Sequence, residues 1–528
     1  MKLNNHSLLL LASAFALASC VKEEYNIDKI SSSVDVNSSV AIPIAGGTIT
    51  LEKVLPKDSD PTNYIYIDKD NLLHIVYKQT LDSLTFGSYA NVVKDFQSST
   101  SISAPNGLAF PSNIEVKGNL TYNLGIALEH PDQSIEEALV ESGMLRFANS
   151  SSFASGSFSY TIESPDILRA DKSNLKVTFN PTSANPGTNI SLAGCTFKPT
   201  NGNQIRFNVS YSITKYGTSL NDKVTLSFGI SSVKIKQLTG NIGKINIALQ
   251  NNALPLEINN NTLNTGDFDI KNPLIKLKFR NQAGIPFAFT HTGVTAARDN
   301  ETYIITGLPT PINILSPAIG VESEKNSEAT IDPNSNIVSV LGKFPKELRF
   351  NGNLTTNPST IPSTKNVIRA TDKLYIGAEA DLPLDIRLAN VALTDTTTYN
   401  FSNLVSDSKS VEKMKLETSF INGMPIDLEV NAFIIDKDGK VLDSMFSTPF
   451  LLKAAATQNG IVVTPTSSKT EVVYDQSRIQ KLKTGDRIIF ATKASTYGNA
   501  TGQTVKILAN YKLDIKVVGF IQANLNNL

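Results

Sequence analysis

Histidine and cysteine are the residue types best suited to acid–base, nucleophilic or metal chemistry, and both are scarce in this 528-residue chain. The four histidines, His6, His74, His130 and His291, form no pair at metal-ligand spacing. The sequence contains no nucleophile-elbow motif and no phosphate-binding loop. Its acidic residues are scattered, so no carboxylate pair stands out for glycoside hydrolysis. The sequence therefore predicts no catalytic residue, no metal site and no cofactor.

One acidic segment, Asp436-Lys437-Asp438-Gly439, begins like a calcium-binding loop. The loop lacks the third Asp or Asn ligand and the distal Glu, since Asp443 falls at the wrong offset. Alternating residues on both sides, in 428–435 and 440–442, instead predict a β-hairpin that turns at Asp-Gly.

Cys20 is the one residue to which the sequence assigns a chemical role. Lys2 and the apolar run Leu8 to Leu17 precede it, and this run is too short to span a bilayer as a permanent helix. Leu17-Ala18-Ser19-Cys20 resembles the bacterial lipobox. That resemblance implies a signal peptide over residues 1–19, cleaved before Cys20, and acylation of Cys20. Several acyl chains would give stable membrane anchoring.

Lys22, Glu23 and Glu24 directly follow the predicted anchor. This run resembles the lipoprotein export signal of Bacteroidota, which directs lipoproteins to the cell surface. The resemblance implies an outer-membrane protein that faces the exterior. A charged tether on a periplasm-facing lipoprotein is the alternative. Three short segments also resemble the O-glycosylation motif of that phylum, and their acceptor residues would be Ser83, Thr396 and Ser444.

Composition narrows the possible partners and the fold. Lys plus Arg and Asp plus Glu each number 48, so no basic surface is available to attract nucleic acid. With Cys20 acylated, Cys195 has no disulfide partner, and its apolar surroundings predict a buried small side chain. Strand-length alternating segments recur between turn signals along the chain. Helices are predicted only at Ser134 to Met144, where Ser134 and Glu137 suggest a capping box, and near Gln476 to Lys483.

Two motifs recur in the same order and predict internal repeats. The first is a Gly-Asn pair at residues 118, 240 and 352. The second is Phe-x-Asn at 147–149, 279–281 and 420–422. We therefore predict a mainly β protein with very little helix, built of about three related antiparallel β-sandwich units in tandem. The predicted spans are 1–19 signal peptide, 20–39 lipidated Cys and polar tether, 40–215 unit 1, 216–340 unit 2 and 341–528 unit 3.

These features favour a non-enzymatic structural, adhesive or accessory binding role for a surface-displayed outer-membrane lipoprotein. Its expected partners are the membrane, through the lipid, and a protein or glycan. A glycan-binding component of a nutrient-uptake system is an alternative, although the chain has no Trp to stack on sugar rings. A fimbrial anchor or tip subunit is another. Trimming by an Arg-specific protease near the N-terminus is excluded, because no Arg lies between Cys20 and Leu145. Residues 269–286 resemble a segment of late-embryogenesis-abundant type 2 sandwiches, which implies a periplasm-facing lipid-handling role as a further alternative.

Overall fold

The computed structural model of the chain describes residues 40–51, 63–200, 202–250, 252–256, 266–318, 320, 322–363, 365–398, 411–482 and 484–523. In this part of the chain, 35 strands account for most residues and the helices are short. The predicted mainly β, antiparallel fold is confirmed.

The first four strands are β1 (Val40–Thr50), β2 (Asn63–Ile67), β3 (Leu73–Thr85) and β4 (Phe96–Ile102). The next eight are β5 (Glu115–Gly125), β6 (Ser134–Ser151), β7 (Ser155–Leu168), β8 (Asn174–Phe179), β9 (Gly187–Ser191), β10 (Thr196–Phe197), β11 (Gln204–Tyr216) and β12 (Val224–Asn241).

The middle of the chain forms β13 (Asn246–Leu249), β14 (Ala253–Pro255), β15 (Asp267–Ile270), β16 (Leu274–Asn281), β17 (Phe287–Arg298), β18 (Glu301–Ile305), β19 (Ile312–Ile314), β20 (Lys325–Ile331), β21 (Glu347–Thr356), β22 (Asn366–Arg369) and β23 (Lys373–Pro383). The last third forms β24 (Asp385–Ala389), β25 (Val391–Thr398), β26 (Val411–Asn422), β27 (Ile426–Ile435), β28 (Val441–Ser444), β29 (Phe450–Leu452), β30 (Ala456–Gln458), β31 (Ile461–Thr464), β32 (Thr466–Asp475), β33 (Arg487–Thr496), β34 (Val505–Lys506) and β35 (Lys512–Ala523). The helices are α1 (Gly87–Ala90), α2 (Ile337–Leu341), α3 (Gln476–Leu482) and a single 3-10 turn at Asn499–Thr501.

One arrangement of eight strands occurs in three places, which we call sandwiches 1, 2 and 3. Sandwich 1 pairs its strands in the orders β4-β12-β6-β9 and β5-β11-β7-β8, and β10 joins the two halves into one sheet. Sandwich 2 has the orders β3-β23-β16-β20 and β13-β21-β17-β18. Sandwich 3 has the orders β1-β35-β26-β32 and β25-β33-β27-β28. In each case the strands follow the same chain order. Helices α2 and α3 occupy the same place, before β21 and before β33.

Strand pairing groups the chain differently from the predicted spans. Residues 40–50 form β1, which pairs along its length with β35 in sandwich 3. Strand β3 likewise pairs with β23 in sandwich 2. Strand β12, at 224–241, pairs with β6 in sandwich 1. The N-terminal strands thus complete sandwiches whose other strands come later in the chain, a long-range pairing that local sequence patterns do not encode.

Alternation of apolar and polar residues explains most strands. In β11, for example, Ile205, Phe207 and Val209 are buried while the residues between them are exposed. The buried side chains of all three sandwiches form one connected hydrophobic cluster that extends from Leu51 to Leu513. Cys195 is part of it, as predicted, and is a free thiol.

The predicted helix at Ser134 to Met144 is wrong, because these residues begin β6. The pairing of β6 with β12 shifts register several times here, which marks β-bulges. A bulge adds a residue to one strand, so buried Ile135 and Ala138 lie three positions apart, as they would on a helix. By contrast, the helix near Gln476 is confirmed by α3, and the hairpin at 436–440 is confirmed by the pairing of β27 with β28.

Both joints between sandwiches are crossed by strand pairing. Strand β22 pairs with the end of β12, and β24 pairs with both β15 and β34. At the first joint, Asn357 and Asn366 are buried and exchange two side-chain hydrogen bonds of 2.9 and 2.8 Å. Asn357 also donates to the Gly243 carbonyl, 3.0 Å away. The sandwiches therefore follow one another in the order 1, 2, 3, and at the first joint the buried amide groups of Asn357 and Asn366 are hydrogen-bonded.

Candidate functional site

The residues with predicted chemical roles are only partly within the described chain. Cys20, Lys22, Glu23 and Glu24 lie outside the described residues. Ser83 and Thr396 are exposed on strands β3 and β25. Ser444 is half-buried, and its hydroxyl donates to the Phe446 carbonyl at 2.8 Å. The preceding Asp443 accepts hydrogen bonds from Arg478 of α3, at 2.7 and 3.0 Å. Folding thus leaves Ser83 and Thr396 more accessible to a modifying enzyme than Ser444.

The histidines do not come together in the fold. His130 lies in a loop of sandwich 1, and His291 lies on β17 with one ring nitrogen 3.2 Å from the Leu308 carbonyl oxygen. Cys195 is buried, and burial raises the pKa of its thiol, which makes it a poor nucleophile. Among the residues that the structure describes, no group of three or more His, Cys, Asp or Glu side chains could hold a metal ion.

His74 has the densest set of titratable neighbours. Its Nδ1 is 2.7 Å from Asp381 Oδ1 and 3.1 Å from the Tyr66 hydroxyl, and its Nε2 is 3.5 Å from Asp68 Oδ2. The sequence alone does not predict this cluster, because Asp381 lies 307 residues from His74 along the chain. The cluster lies where sandwiches 2 and 3 meet, since neighbouring Leu73 donates its amide hydrogen to the Ile507 carbonyl. The arrangement ties strands β2, β3 and β23 together at this joint.

The Asp436 turn is also structural. Asp436 Oδ1 accepts hydrogen bonds from the backbone amides of Asp438 and Lys440, at 3.0 and 2.9 Å. The carboxylate thus closes the hairpin as an Asx-type turn.

A different kind of surface lies at the end of sandwich 1 farthest from sandwich 2. Strand β12 leaves for sandwich 2 at Asn241, and its other end, Val224, pairs with Ile102 and Ser151. At this far end lie four loops, which we call the tip surface: residues 103–114, 152–154, 180–186 and 217–223. Their only charged residues are Asp222 and Lys223. The rest are mainly Ser, Asn, Pro, Gly, Ala and Thr.

Large apolar side chains project from the tip surface. Leu220 is 84 % exposed, Leu108 63 % and Ile114 58 %, and the adjoining Tyr216 at the end of β11 is 48 % exposed. Exposed apolar residues are ordinary when single, but a group on neighbouring loops is typical of contact surfaces. Loops rich in Ser, Asn and Gly with a few large apolar anchors also resemble the composition of protein-binding loops.

Backbone hydrogen bonds hold the tip loops in place. The Asp222 amide donates to the Leu108 carbonyl at 2.9 Å, and the Asn113 amide donates to the Lys215 carbonyl at 2.8 Å. The Ser152 amide donates to the Lys223 carbonyl, also at 2.9 Å. Phe110 and Phe153 are buried beneath the loops, with their ring centroids 6.1 Å apart. The exposed apolar side chains therefore lie on a framework of loops held in place by hydrogen bonds and buried aromatic packing.

A buried ion pair lies at the centre of that framework. Lys215 Nζ is 2.6 Å from Asp222 Oδ2, and the two side chains are only 3 % and 1 % exposed. Asp222 also accepts hydrogen bonds from the Ser219 hydroxyl at 2.6 Å and the Phe110 amide at 2.9 Å. Burial alone would raise the pKa of Asp222, but these hydrogen bonds and the Lys215 charge hold it below its usual value.

Sequence analysis did not identify the tip surface. A usable signal was present, because 96–114, 147–162 and 177–197 are long stretches without a charged residue in a chain that is 18 % charged. Each stretch contains one of the tip loops. Only the fold shows that three distant stretches share one surface.

Comparisons with known proteins give little further information. No protein-family model and no curated protein matches the chain. A protein from Parabacteroides distasonis described as secreted shares 12 % identity and a TM-score of 0.30, over 54 % of this chain and 82 % of its own. A triple-jelly-roll protein of an archaeal virus turret shares 13 % identity and a TM-score of 0.11, over 81 % of this chain and 90 % of its own. Within the described residues, no helix is long and apolar enough to cross a membrane.

Proposed function

We propose that this chain is a lipid-anchored outer-membrane protein displayed on the cell exterior, and that it acts without catalysis by binding a protein partner at the tip surface. The observation that carries the proposal is the group of exposed apolar side chains on hydrogen-bonded loops that contain only two charged residues. Burying a large aliphatic side chain contributes about 1.5–3 kcal/mol, and a few buried side chains commonly supply most of the binding energy of a protein interface.

The chemistry of the tip surface favours a protein over a glycan as partner. Sugar binding commonly uses aromatic platforms, and Tyr216 is the one strongly exposed aromatic residue on or beside the described tip loops. Among the tyrosines whose exposure the structure describes, Tyr497 of sandwich 3 is the other strongly exposed one. The aliphatic side chains Leu108, Ile114 and Leu220 instead suit an apolar patch on another protein.

A test of binding compares two equivalent apolar-to-charged substitutions. Leu220→Asp places a charge on the tip surface, and Ile304→Asp places one at a 67 % exposed position on β18 of sandwich 2. Intact cells that display each variant are treated with a short cross-linker, and adducts of the chain are compared. We expect an adduct that native protein and Ile304→Asp share and Leu220→Asp loses. Equal adducts in all three would contradict the proposal.

Two sets of substitutions test membrane anchoring and surface display separately. Cys20→Ala should release the protein from the membrane fraction, because the lipid is its proposed attachment. Replacing Lys22, Glu23 and Glu24 with Ala should leave the protein anchored but protected from protease added to intact cells. A Cys20→Ala protein that stays in the membrane fraction would refute anchoring. Undiminished digestion of the triple variant would refute the export role of the charged run.

A further inference from the structure

The N-terminal strands run the length of the molecule in one direction. Strand β1 belongs to sandwich 3, β3 to sandwich 2 and β4 to sandwich 1, so the chain visits the sandwiches in the order 3, 2, 1. It then returns through the remaining strands of sandwiches 1, 2 and 3 in that order. The start of the described chain and its last strand therefore lie together in sandwich 3.

Register shows which end of sandwich 3 receives the N-terminal segment. Val40 pairs with Ile521 near the end of β35, and Thr50 pairs with Lys512 at its beginning. Strand β35 begins beside sandwich 2, because the nearby Ile507 amide donates to the Leu384 carbonyl. Val40 consequently lies at the end of sandwich 3 that points away from sandwich 2. We call this end the base.

The base differs from the tip surface in its charges. Around it lie the 436–440 turn, the first residues of β26, helix α3 and the 486–487 segment. Their charged residues carry both signs: Glu412, Lys413, Asp436, Lys437, Asp438, Lys440, Asp475, Arg478, Lys481, Asp486 and Arg487. Such a mixed, well-hydrated surface is suited to the aqueous layer beside lipid headgroups.

We infer that the anchored protein stands with the base of sandwich 3 next to the membrane and with the tip surface of sandwich 1 farthest from it. The inference rests on the proposed lipidation of Cys20. Nineteen residues, 21–39, lie between Cys20 and Val40, and a fully extended chain of that length spans at most about 70 Å. The base is therefore the end of the described chain to which the proposed anchor is directly tethered, and the tip surface is the end farthest along the chain path from it.

The tip surface is separated from the base by three sandwiches. Strand β12 alone has 18 residues, and at about 3.3 Å per residue it covers about 60 Å of sandwich 1. Strands β23 and β35 add the lengths of sandwiches 2 and 3 to the path. This arrangement presents the apolar side chains of the tip surface where a molecule approaching from outside would first meet them.

Energy transfer to labelled lipid measures this orientation. The full lipidated chain in a Cys195→Ala background receives one fluorescent donor at Lys413→Cys on the base, Thr302→Cys in sandwich 2 or Leu220→Cys on the tip surface. All three positions are exposed. Each protein is reconstituted into phosphatidylethanolamine and phosphatidylglycerol vesicles that carry an acceptor on the headgroups. We expect transfer to be strong at Lys413→Cys, weaker at Thr302→Cys and least at Leu220→Cys.

The possible failures are distinguishable. Equal transfer from all three donors would mean that the molecule lies flat, and stronger transfer from Leu220→Cys would mean that it is inverted. Either result overturns the inferred orientation and leaves the anchor intact. Failure of the native chain to associate with vesicles, or association of a Cys20→Ala control, would instead overturn the proposed anchor and the inference with it.

Discussion

The tip surface and the base are the two ends of the sandwich series that no other sandwich covers within the described residues, yet they are built differently. The tip loops contain two charged residues, and one of them, Asp222, is buried in an ion pair. The base carries charges of both signs on turns and strand ends. Solvent exposure alone therefore does not explain the composition of the tip surface. A surface that only had to stay hydrated would resemble the base.

The ends of sandwiches 2 and 3 that lie at the joints extend this comparison. Asn281 ends β16 and Asn422 ends β26, and both are buried. Asn281 donates to the Ile285 and Leu315 carbonyls, and Asn422 donates to the Ile426 and Lys453 carbonyls, at 2.8–3.1 Å. The corresponding Asn149 of β6, at the tip, is half-buried and accepts a hydrogen bond from Tyr160. The asparagine at this strand end is thus buried at the joints, whereas at the tip it is partly exposed.

Breaking the buried ion pair should have the largest effect on the tip. Asp222→Ala leaves Lys215 charged and buried without its partner, which costs about 3 kcal/mol of stability. We expect a lower melting temperature and faster hydrogen exchange in residues 103–114 and 217–223. The base counterpart Asp443→Ala, whose Arg478 partner is 25 % exposed, should cost less. Unchanged hydrogen exchange in residues 103–114 and 217–223 of Asp222→Ala would show that the tip loops do not depend on the buried pair.

Removing the buried asparagine at a joint should come next in size. Asn281→Ala leaves two buried carbonyl groups and the Ala283 amide without their partner, at a cost of about 2 kcal/mol. Asn149→Ala is the matched substitution at the tip and should cost about half as much. Denaturation in urea compares the two variants. A larger loss for Asn149→Ala would contradict the view that the tip end of sandwich 1 is the more open one.

Acid should weaken the tip by a smaller amount. The pKa of Asp222 is lower in the folded chain than its ordinary value, so the folded state favours the ionised carboxylate. Its contribution to stability is complete above the unfolded pKa, near 4, and is lost as the pH falls through the lower folded value. Melting temperatures measured from about pH 6 to about pH 2 should fall less steeply for Asp222→Asn than for native protein. Parallel curves of melting temperature against pH for the two proteins would exclude a contribution of Asp222 ionisation to stability.

Neutralising charges at the base should have the smallest effect. Lys437→Gln and Lys440→Gln alter exposed side chains in the 436–440 turn, and exposed substitutions usually change stability by less than about 0.5 kcal/mol. A melting temperature indistinguishable from that of native protein is expected for each. A clear destabilisation would mean that the base charges hold the turn together and are more than a hydrated surface.

The sequence predicted the kind of structure well and the grouping of its strands poorly. Alternation and an Asp-Gly turn were sufficient for the hairpin of β27 and β28, because both signals are local. The three Phe-x-Asn motifs do lie at corresponding ends of β6, β16 and β26. The three Gly-Asn pairs, in contrast, lie on β5, β12 and β21, which occupy different positions in the sandwiches.

The wrong helix prediction and the features that the sequence did not predict have physical causes. The bulges of β6 changed a period of two into steps of three, which imitates a helix at Ser134 to Met144. The tip surface depends on loops that are far apart in the chain, and its apolar side chains are exposed although composition alone would place them in a core. The pairing of β1 with β35 depends on the whole fold, so no window of sequence could indicate it.

The position of β35 between β1 and β26 has a consequence for the order in which the protein can mature. During synthesis β1 emerges early, but its neighbour β35 is the last strand of the described chain, so sandwich 3 can close only after the strands of sandwiches 1 and 2 have been made. Pairings this distant in sequence form slowly and leave open strand edges in the meantime. A chain interrupted before β35 is made would still possess the tip surface but would lack a finished base.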